Sequence, residues 1–395
     1  MMPWSSRERL LAALDRQQPD HIPLSFMIFG ALKSRCSSYA EFIERQVELG
    51  LDAFVELPPR PPVVVNDYYN LHGLPVSYHP QVQVQEWIEH PAGEEWPIMV
   101  KEYHTPAGIL RTEVRQTADW RWGDHVPLFD DYLVPRSRKF LVTGPDDLEP
   151  LRYLLVPPTD AEISAFRAAS APAIEQARHY GLLLAGGWGA TADVIAWLMG
   201  FENMILLTAD EPQFMHDLIA LVATWNQSRL QVLLDAGIEL YLKRIFYEST
   251  DFWSPRLFQE FLQPVLKADC ELAHQAGARV GGMMTTGTLP LVDHLVEAGL
   301  DAIIGVDPAV TPLPDIKAKA AGRICLWGGI NGYATVEGGS EDQVRAEVRR
   351  AYEVLAPGGA SILSPVENVR DTSDKTWNNT LALIDEWKRL VGRHP

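Results

Sequence analysis

LWGGINGYATVEGGSEDQVRAEVRRAYEVLAPGGASILSPVEN, residues 326–368, is the stretch that best indicates how this chain folds. It reads as a short buried strand, a glycine-rich loop, an amphipathic helix and a second short strand. The second strand ends in a carboxylate and an amide, Glu367 and Asn368. Because α/β barrels keep their chemistry at the carboxyl ends of buried parallel strands, this segment predicts both a barrel and an active site.

The same alternation of strands and helices continues along most of the chain. Short apolar runs predict strands at 22–28, 52–57, 182–187, 239–247, 278–284, 301–306, 324–329 and 360–365. Most are separated by helical patterns, several of which end on a glycine before the next strand. Eight such strands predict one α/β domain over residues 1–395, a (β/α)8 TIM barrel. An open doubly wound sheet is the alternative, but no G-x-G-x-x-G turn follows an early strand.

The region of about 60–160 interrupts this rhythm. It is rich in Pro, Tyr, Trp and His, and parts of it alternate apolar and polar residues. The stretch MVKEYHTPAGILRTEVRQT (99–117) predicts a β-hairpin that turns at Pro106, Ala107 and Gly108. We therefore expect a β-rich insertion between barrel strands 2 and 3, which either shapes the substrate site or decorates the surface.

Composition and charge limit the partners. A net charge of −18 argues against nucleic acid and anionic membranes, which bind clustered Lys and Arg. The N-terminus lacks the apolar segment of a signal peptide, and no apolar run is long enough to cross a membrane, so we expect a cytoplasmic protein. Cys36, Cys270 and Cys325 lie far apart and predict buried free thiols rather than disulfides.

Candidate site residues follow the predicted strands, because the carboxyl ends of barrel strands meet at one mouth. The candidate catalytic residues are Glu248 and Glu367, as general acids or bases, and Asp307, which would orient them. The candidate substrate-binding residues are Trp188, Arg244, Tyr247, Thr285, Asn331 and Asn368. No metal ligand is assigned, because no H-x-C, H-E-x-x-H or paired-histidine spacing occurs at these strand ends.

Structural roles compete with several of these assignments. Asp307 precedes a proline and is equally well explained as a loop-opening aspartate. Arg244 lies inside an apolar run, where an unpaired cation is costly, so we expect it to have a carboxylate partner. That partner is either Glu248 or a group of the substrate.

Several blocks of the sequence resemble the uroporphyrinogen decarboxylase superfamily. They are RERLLAALDRQQPDHIPL (7–24), WLMGFENMI (197–205), the helix that starts at Asp210, SPRLFQEFLQP (254–264), LVEAGLDAI (295–303) and LWGGINGYATVEGGSEDQV (326–344). The resemblance covers nearly the whole chain and implies a (β/α)8 barrel, a cleft at the carboxyl ends of its strands and a homodimer. Family members divide mainly into tetrapyrrole decarboxylases and cobamide-linked methyltransferases.

The two branches match unequally. The stretch FMIFGALKSR (26–35) is apolar where the decarboxylases carry a pair of arginines, and Glu367 stands where they have a histidine. The methyltransferase branch is more similar, especially at TPAGILR (105–111). Its thiol-activating members hold zinc with an H-x-C-G motif after strand 5 and a later cysteine. Met283 and Thr285 occupy the corresponding positions here, so that zinc site is not carried over.

The resemblance therefore implies a methyltransferase that moves a methyl group between a small molecule and a corrinoid held on a separate protein, with no tightly bound cofactor of its own. A general acid such as Glu248 or Glu367 would protonate the leaving group of an O- or N-methyl donor. The alternatives are a divergent decarboxylase acting on a porphyrinogen or another carboxylate, and a non-catalytic ligand-binding descendant. A hard-ligand metal site built from these glutamates, Asp307 and a histidine stays open.

Overall fold

The structure, a computed structural model, describes residues 4–59, 68–366 and 369–392. In chain order its strands are β1 Phe54–Leu57, β2 Gln83–Glu89, β3 Ile98–Thr105, β4 Gly108–Arg115, β5 Ser137–Lys139, β6 Leu183–Ala190, β7 Leu240–Arg244, β8 Arg279–Met283, β9 Ala302–Val306, β10 Cys325–Asn331 and β11 Ser361–Val366. Seven of them form a curled parallel sheet in the order β1-β6-β7-β8-β9-β10-β11. The other four form a separate antiparallel sheet, β2-β3-β4-β5.

Helices lie between most of the parallel strands. They are α1 Ser6–Leu14, α2 Gly30–Lys33, α3 Tyr39–Glu48, α4 Leu148–Leu151, α5 Asp160–Tyr180, α6 Ala192–Asp210, α7 Pro212–Asp235, α8 Pro255–Leu257, α9 Gln263–Gln275, α10 Val292–Glu297, α11 Leu313–Ala320, α12 Glu341–Leu355 and α13 Asp374–Leu390. Capping boxes begin three of them, α1, α5 and α12. The predicted alternation of strand and helix is thus present from β6 to α13.

The first predicted strand, at 22–28, differs from the expectation. Its one ladder contact is an isolated parallel bridge between Leu24 and Leu363 of β11. The backbone N–H of Ser25 donates to Leu363 O at 2.9 Å, and that of Asp52 donates to Leu24 O at 2.9 Å. A longer ladder is disfavoured here because Pro23 has no N–H to donate. The structure therefore shows a seven-stranded parallel sheet with this bridge beside β11, rather than eight regular strands.

The two faces of the curled sheet bury different sets of residues. Alternate residues such as Leu240 and Leu242 of β7 form an inner cluster with Trp327 of β10. Leu10 and Leu14 of α1 join this cluster, so α1 packs against the inner face. The intervening residues, such as Tyr241, pack outward beneath the helices in a larger cluster. This period of two is that of strands buried on both faces.

One helix in the described part of the chain, α6, is long and apolar enough to cross a membrane by length and composition. Of its most apolar window, 61% is buried inside the molecule, as in the core helix of a soluble protein. Its backbone is interrupted at Gly200, where φ is 76° and ψ is 160°. Most of α6 is therefore packed inside the α/β domain.

The β-rich content predicted for 60–160 is confirmed. The four antiparallel strands lie between β1 and β6 in the chain, and β3 pairs with β4 from Ile98 opposite Arg115 to Thr105 opposite Gly108. This register confirms the predicted hairpin and its turn. Residues 60–67 of the predicted insertion lie outside the described residues. Its place between barrel strands 2 and 3 stays a prediction.

Candidate functional site

An apolar cleft opens at the carboxyl ends of the parallel strands. It encloses about 350 Å³ of space, part of it open to solvent. The residues that line it are Met27, Ile28, Phe246, Met283, Thr285, Ile304, Gly305, Trp327, Gly328, Ser364, Pro365 and Val366. None of these described lining residues is charged, and most are apolar. The cleft has the apolar lining typical of a small-molecule pocket.

Beside the cleft lies an arginine held by two carboxylates. Nε of Arg244, at the end of β7, donates to Asp193 at the start of α6, and Nη2 donates to both oxygens of Asp131 at 2.9 Å. Tyr247 O–H and Trp197 Nε1–H also donate to Asp131, at 2.8 and 2.9 Å. Arg244 therefore has two carboxylate partners where one was expected, and neither of them is Glu248.

Burial and charge set the protonation of this cluster. Burial raises the pKa of Asp131, but the Arg244 charge and the hydrogen bonds from Arg244, Trp197 and Tyr247 outweigh it and hold the pKa below its usual value. Burial dominates at Asp193, whose pKa is raised despite Arg244. Burial and the nearby Asp131 charge raise the pKa of Tyr247. Tyr247 therefore remains a hydrogen-bond donor at neutral pH.

Glu248 occupies a different environment from the cleft. It ends a short 3-10 turn after β7, and its side chain is 1% exposed. The backbone N–H of Ala192, at the start of α6, donates to it at 3.5 Å. Burial raises its pKa to about 7, which the Lys243 charge opposes. The structure thus shows a carboxyl that changes charge near neutral pH, but it is not among the residues lining the cleft.

Lys243 lies on the outer face of β7 and forms a buried ion pair. Its Nζ donates to Asp269 of α9 at 2.6 Å and to Thr191 at 3.1 Å. Burial lowers the pKa of Lys243, but the Asp269 charge outweighs it, so the net pKa is raised. A cation paired in this way between sheet and helices is structural, because an unpaired charge there is costly.

Asp307 and Asn331 form a second, local unit. Nδ2 of Asn331 donates to both carboxylate oxygens of Asp307 at 3.0 Å, and the Ala309 N–H donates to the same carboxylate at 2.8 Å. The Asn331 side-chain oxygen accepts from Ala334 N–H at 2.6 Å, at the start of the π-helical turn Gly332–Glu337. The side-chain hydrogen bonds described for Asp307 go to Asn331 and Ala309, and its predicted role in orienting Glu248 and Glu367 stays a prediction.

The remaining candidates are distributed around the mouth. Trp188 lies at a bulge in β6 and donates its indole N–H to Glu56 near the end of β1. Thr285 lines the cleft just beyond β8. Glu367 and Asn368 lie outside the described residues, so their predicted roles have no structural account.

Zinc of the kind held by thiol-activating family members does not fit the donors present. Met283 ends β8 and Thr285 follows it, where that site would need histidine and cysteine. Cys36, Cys270 and Cys325 are buried free thiols, as predicted, and burial raises the pKa of each. In the described ranges, no group of three or more His, Cys, Asp or Glu side chains is placed to share a metal ion.

Sequence reasoning missed two residues of the arginine cluster. Asp193 opens α6 directly after the Gly-rich end of β6, which is a strand-end position of the kind used for the other candidates. Asp131 lies between β4 and β5, and no strand-end signal marks it. An internal cation such as Arg244 is the signal that carboxylates must be nearby, but it does not identify them.

A curled parallel sheet with a cleft at its carboxyl edge defines an α/β protein whose candidate site lies at the strand ends. Residues 134–372 match the family described as Uroporphyrinogen decarboxylase (URO-D). The chain belongs to this family, which confirms the predicted family. A search of curated proteins gives no match.

Among solved structures, one shares the overall fold of this chain. A methyltransferase from Methanosarcina mazei is similar at a TM-score of 0.59 and 17% identity, over 98% of this chain and 99% of that chain. A D-psicose 3-epimerase has a TM-score of 0.35 at 11% identity, over 60% of this chain and 86% of its own. A 3-keto-D-glucoside 4-epimerase from E. coli has a TM-score of 0.32 at 11% identity, over 64% and 95%. Only the first of these three scores indicates a shared overall fold.

Proposed function

We propose that this protein is a methyltransferase that moves a methyl group between a small molecule and a corrinoid carried on a separate protein. The observation that carries the proposal is the uncharged described lining of the cleft. A porphyrinogen with several carboxylates needs several cations, because each buried carboxylate must be paired. Arg244, beside the cleft, is a single cation and cannot pair with several carboxylates at once. These features favour methyl transfer over porphyrinogen decarboxylation.

The lining of the cleft supports a substrate with a largely apolar body. Its described residues are mostly apolar and offer no charged group to the several carboxylates of a porphyrinogen. The corrinoid, when its carrier protein docks at the mouth, supplies the centre that gives or takes the methyl group. The whole-length similarity to a methyltransferase fold agrees with this function.

Each part of the site has a proposed task. The apolar residues Phe246, Met283 and Trp327 hold the substrate body and exclude water. Glu367 directly follows Val366, which lines the cleft, and we assign it the proton transfer to or from the leaving group. Glu248 is proposed to act indirectly. It lies outside the cleft and stabilises the turn Phe246–Glu248, which places Phe246 in the cleft wall.

The proposal extends to the setting of the protein. The sheet closes into an eight-stranded barrel through the bridge at Leu24, supported by the hydrogen bonds of Ser25 and Asp52. The protein works in the cytoplasm as a homodimer, binds no nucleic acid or membrane, and meets the corrinoid protein at the carboxyl edge of the sheet. It uses no zinc of the His/Cys type.

The test is an anaerobic assay of the purified protein with free cob(I)alamin and a panel of methoxy and methylamine donors. We expect formation of methylcobalamin, followed by its visible absorbance, with at least one donor. Uroporphyrinogen is supplied in parallel, and its decarboxylation without any methyl transfer would overturn the proposal.

Two matched variants test the residue assignments in the same assay. Glu367→Gln removes the proposed acid and is expected to lower kcat by about 10²–10⁴-fold. Glu248→Gln removes a carboxyl that does not line the cleft, and we expect a clearly smaller loss. The reverse order of effects would assign the proton transfer to Glu248. Circular dichroism of both variants checks that the fold is retained.

A further inference from the structure

Three hydrogen-bond donors converge on one carboxylate position at the mouth of the sheet. They are Arg244 Nη2 from β7, Tyr247 O–H from the turn that follows, and Trp197 Nε1–H from α6. All three lie within 2.8–2.9 Å of Asp131. This planar cation with two further donors is a complete receptor for a carboxylate. The occupant, Asp131, belongs to the segment between β4 and β5.

Asp131 is the second of two carboxylates that pair with the single cation of this receptor, Arg244. Asp193 already pairs with Arg244 and is fully buried, so the arginine is neutralised without Asp131. With Asp131 included, two carboxylates face one guanidinium. A second carboxylate is therefore not needed to bury Arg244. If a carboxylate of a ligand replaces Asp131, the net charge of the cluster stays the same.

Asp131 is also the more exposed member of its ion pair with Arg244. The side chain of Asp131 is 35% exposed, whereas that of Arg244 is 10% exposed. Every side-chain hydrogen bond described for Asp131 goes to the three donors, and none goes to its own segment. Its departure from the receptor therefore breaks no contact within the segment between β4 and β5.

The ring of Phe246 lies between the receptor and the apolar cleft and contacts both. The guanidinium carbon of Arg244 lies 5.0 Å from the centre of the Phe246 ring, and Phe246 lines the cleft. A ligand bound in the cleft with a carboxylate at one end would reach across Phe246 toward this position. The cleft lining offers such a ligand no other charged group among its described residues.

We propose that Arg244, Tyr247 and Trp197 form a binding site for a single carboxylate of the substrate, which Asp131 fills until the ligand displaces it. The substrate is then a small molecule with an apolar body and one carboxylate. Its identification as the methyl-transfer substrate rests on the function proposed above, whereas the carboxylate site itself does not. Displacement has a cost, so Asp131 also selects against ligands that lack the anion.

Acetate and propionate are the probes, with acetamide as the neutral and methylammonium as the cationic control. Binding to the wild-type protein is followed by NMR through the indole N–H signal of Trp197, assigned with Trp197→Phe. We expect a saturable shift of this signal with the carboxylates and none with the controls. Asp131→Asn removes the charge of the internal competitor, and we expect it to bind acetate about tenfold more tightly.

Tyr247→Phe is the second variant and is added to Asp131→Asn, because in the wild type the same hydroxyl also holds the competing Asp131. We expect the double variant to bind acetate about tenfold more weakly than Asp131→Asn alone, as for a lost hydrogen bond to a charged group. Weaker acetate binding in Asp131→Asn, or methylammonium binding that this variant abolishes, would overturn the proposal. So would a wild-type protein that shows no shift at any carboxylate concentration. Carboxylate binding without methyl transfer would instead overturn only the proposed function.

Discussion

At the scale of single residues, Glu248 combines full burial with few hydrogen bonds. Its carboxyl is 1% exposed and accepts one long hydrogen bond, from Ala192 N–H at 3.5 Å. Burial is the largest cause of its raised pKa, which is about 7 against an ordinary value of 4.5. A carboxyl of this kind stabilises the folded state only while it is protonated.

Glu248→Gln is therefore expected to change how stability depends on pH. In the wild type the stabilising contribution is complete below pH 4.5 and is lost as the pH rises to about 7. From low pH to above about pH 7, the free energy of unfolding of the variant should rise relative to the wild type by about 3 kcal/mol. Urea unfolding at a series of pH values measures this difference.

Glu271→Gln serves as the control for this experiment. Glu271 lies on α9 with its side chain 59% exposed, so the same chemical change should leave the pH dependence nearly unaltered. Equal pH profiles for Glu248→Gln and the wild type would show that Glu248 ionises as it does in water.

The sequence predicted part of the site at this scale, and the limits are physical. Arg244 and Tyr247 lie in the last part of the apolar run at 239–247, so their place at the mouth follows from the strand pattern. Asp131 lies more than a hundred residues before Arg244 and meets it only through the tertiary fold. Local periodicity carries no information on such a pairing.

At the scale of elements, a glycine in α6 allows this helix to pack closely against the segment that follows β5. Gly200 interrupts the helix with φ of 76° and ψ of 160°, a conformation that other residues adopt only with strain. A Cβ built there would lie 2.5 Å from two ring atoms of Phe140, just after β5. Leu198 O, two residues earlier, accepts from Val142 N–H at 2.9 Å. The kink therefore allows close packing of α6 against the segment after β5.

Gly200→Ala is expected to lower the free energy of unfolding by about 2–5 kcal/mol, the sum of backbone strain and overpacking. Gly237→Ala is the matched control, because its φ is 86° but its added Cβ meets nothing within 4 Å. It should cost only the strain, about 1–2 kcal/mol. Equal losses in thermal and urea unfolding would contradict a role for the Phe140 contact, and Phe140→Ala should recover part of the loss in Gly200→Ala.

The elements themselves were largely predictable, and the exceptions follow from backbone chemistry. Seven of the eight predicted apolar runs overlap strands of the parallel sheet, because buried parallel strands are continuous apolar runs. The run at 22–28 is also apolar but contains Pro23, which cannot donate to a ladder, and it forms only the Leu24 bridge.

At the scale of the whole molecule, contacts near the carboxyl edge of the parallel sheet connect it to the antiparallel sheet. Asp131, from the segment before β5, reaches Arg244 of β7, and Phe140 reaches α6. The antiparallel sheet is thereby tied to the site rather than separate from it. This connection fits a substrate-shaping role for the insertion better than a purely decorative one.

Closure of the parallel sheet into a barrel decides whether the cleft has a complete wall. The bridge at Leu24 joins β11 on one side, and the Asp52 N–H reaches Leu24 O on the other, just before β1. If these bonds close the ring, the amides of Ser25 and Asp52 open only with global unfolding. We expect hydrogen exchange as slow at both as at the β8 and β9 amides.

The matched reference is β2, an edge strand of the antiparallel sheet whose first four residues are exposed. Its unpaired amides should exchange fast, since they have no partner to protect them. Exchange at Ser25 and Asp52 that is as fast as in β2, with β10 and β11 still protected, would show an open sheet. The cleft would then be open between β11 and β1, and Met27 would no longer form a fixed part of its wall. Slow exchange at both amides instead makes Met27 and Ile28 as rigid as the strands they face.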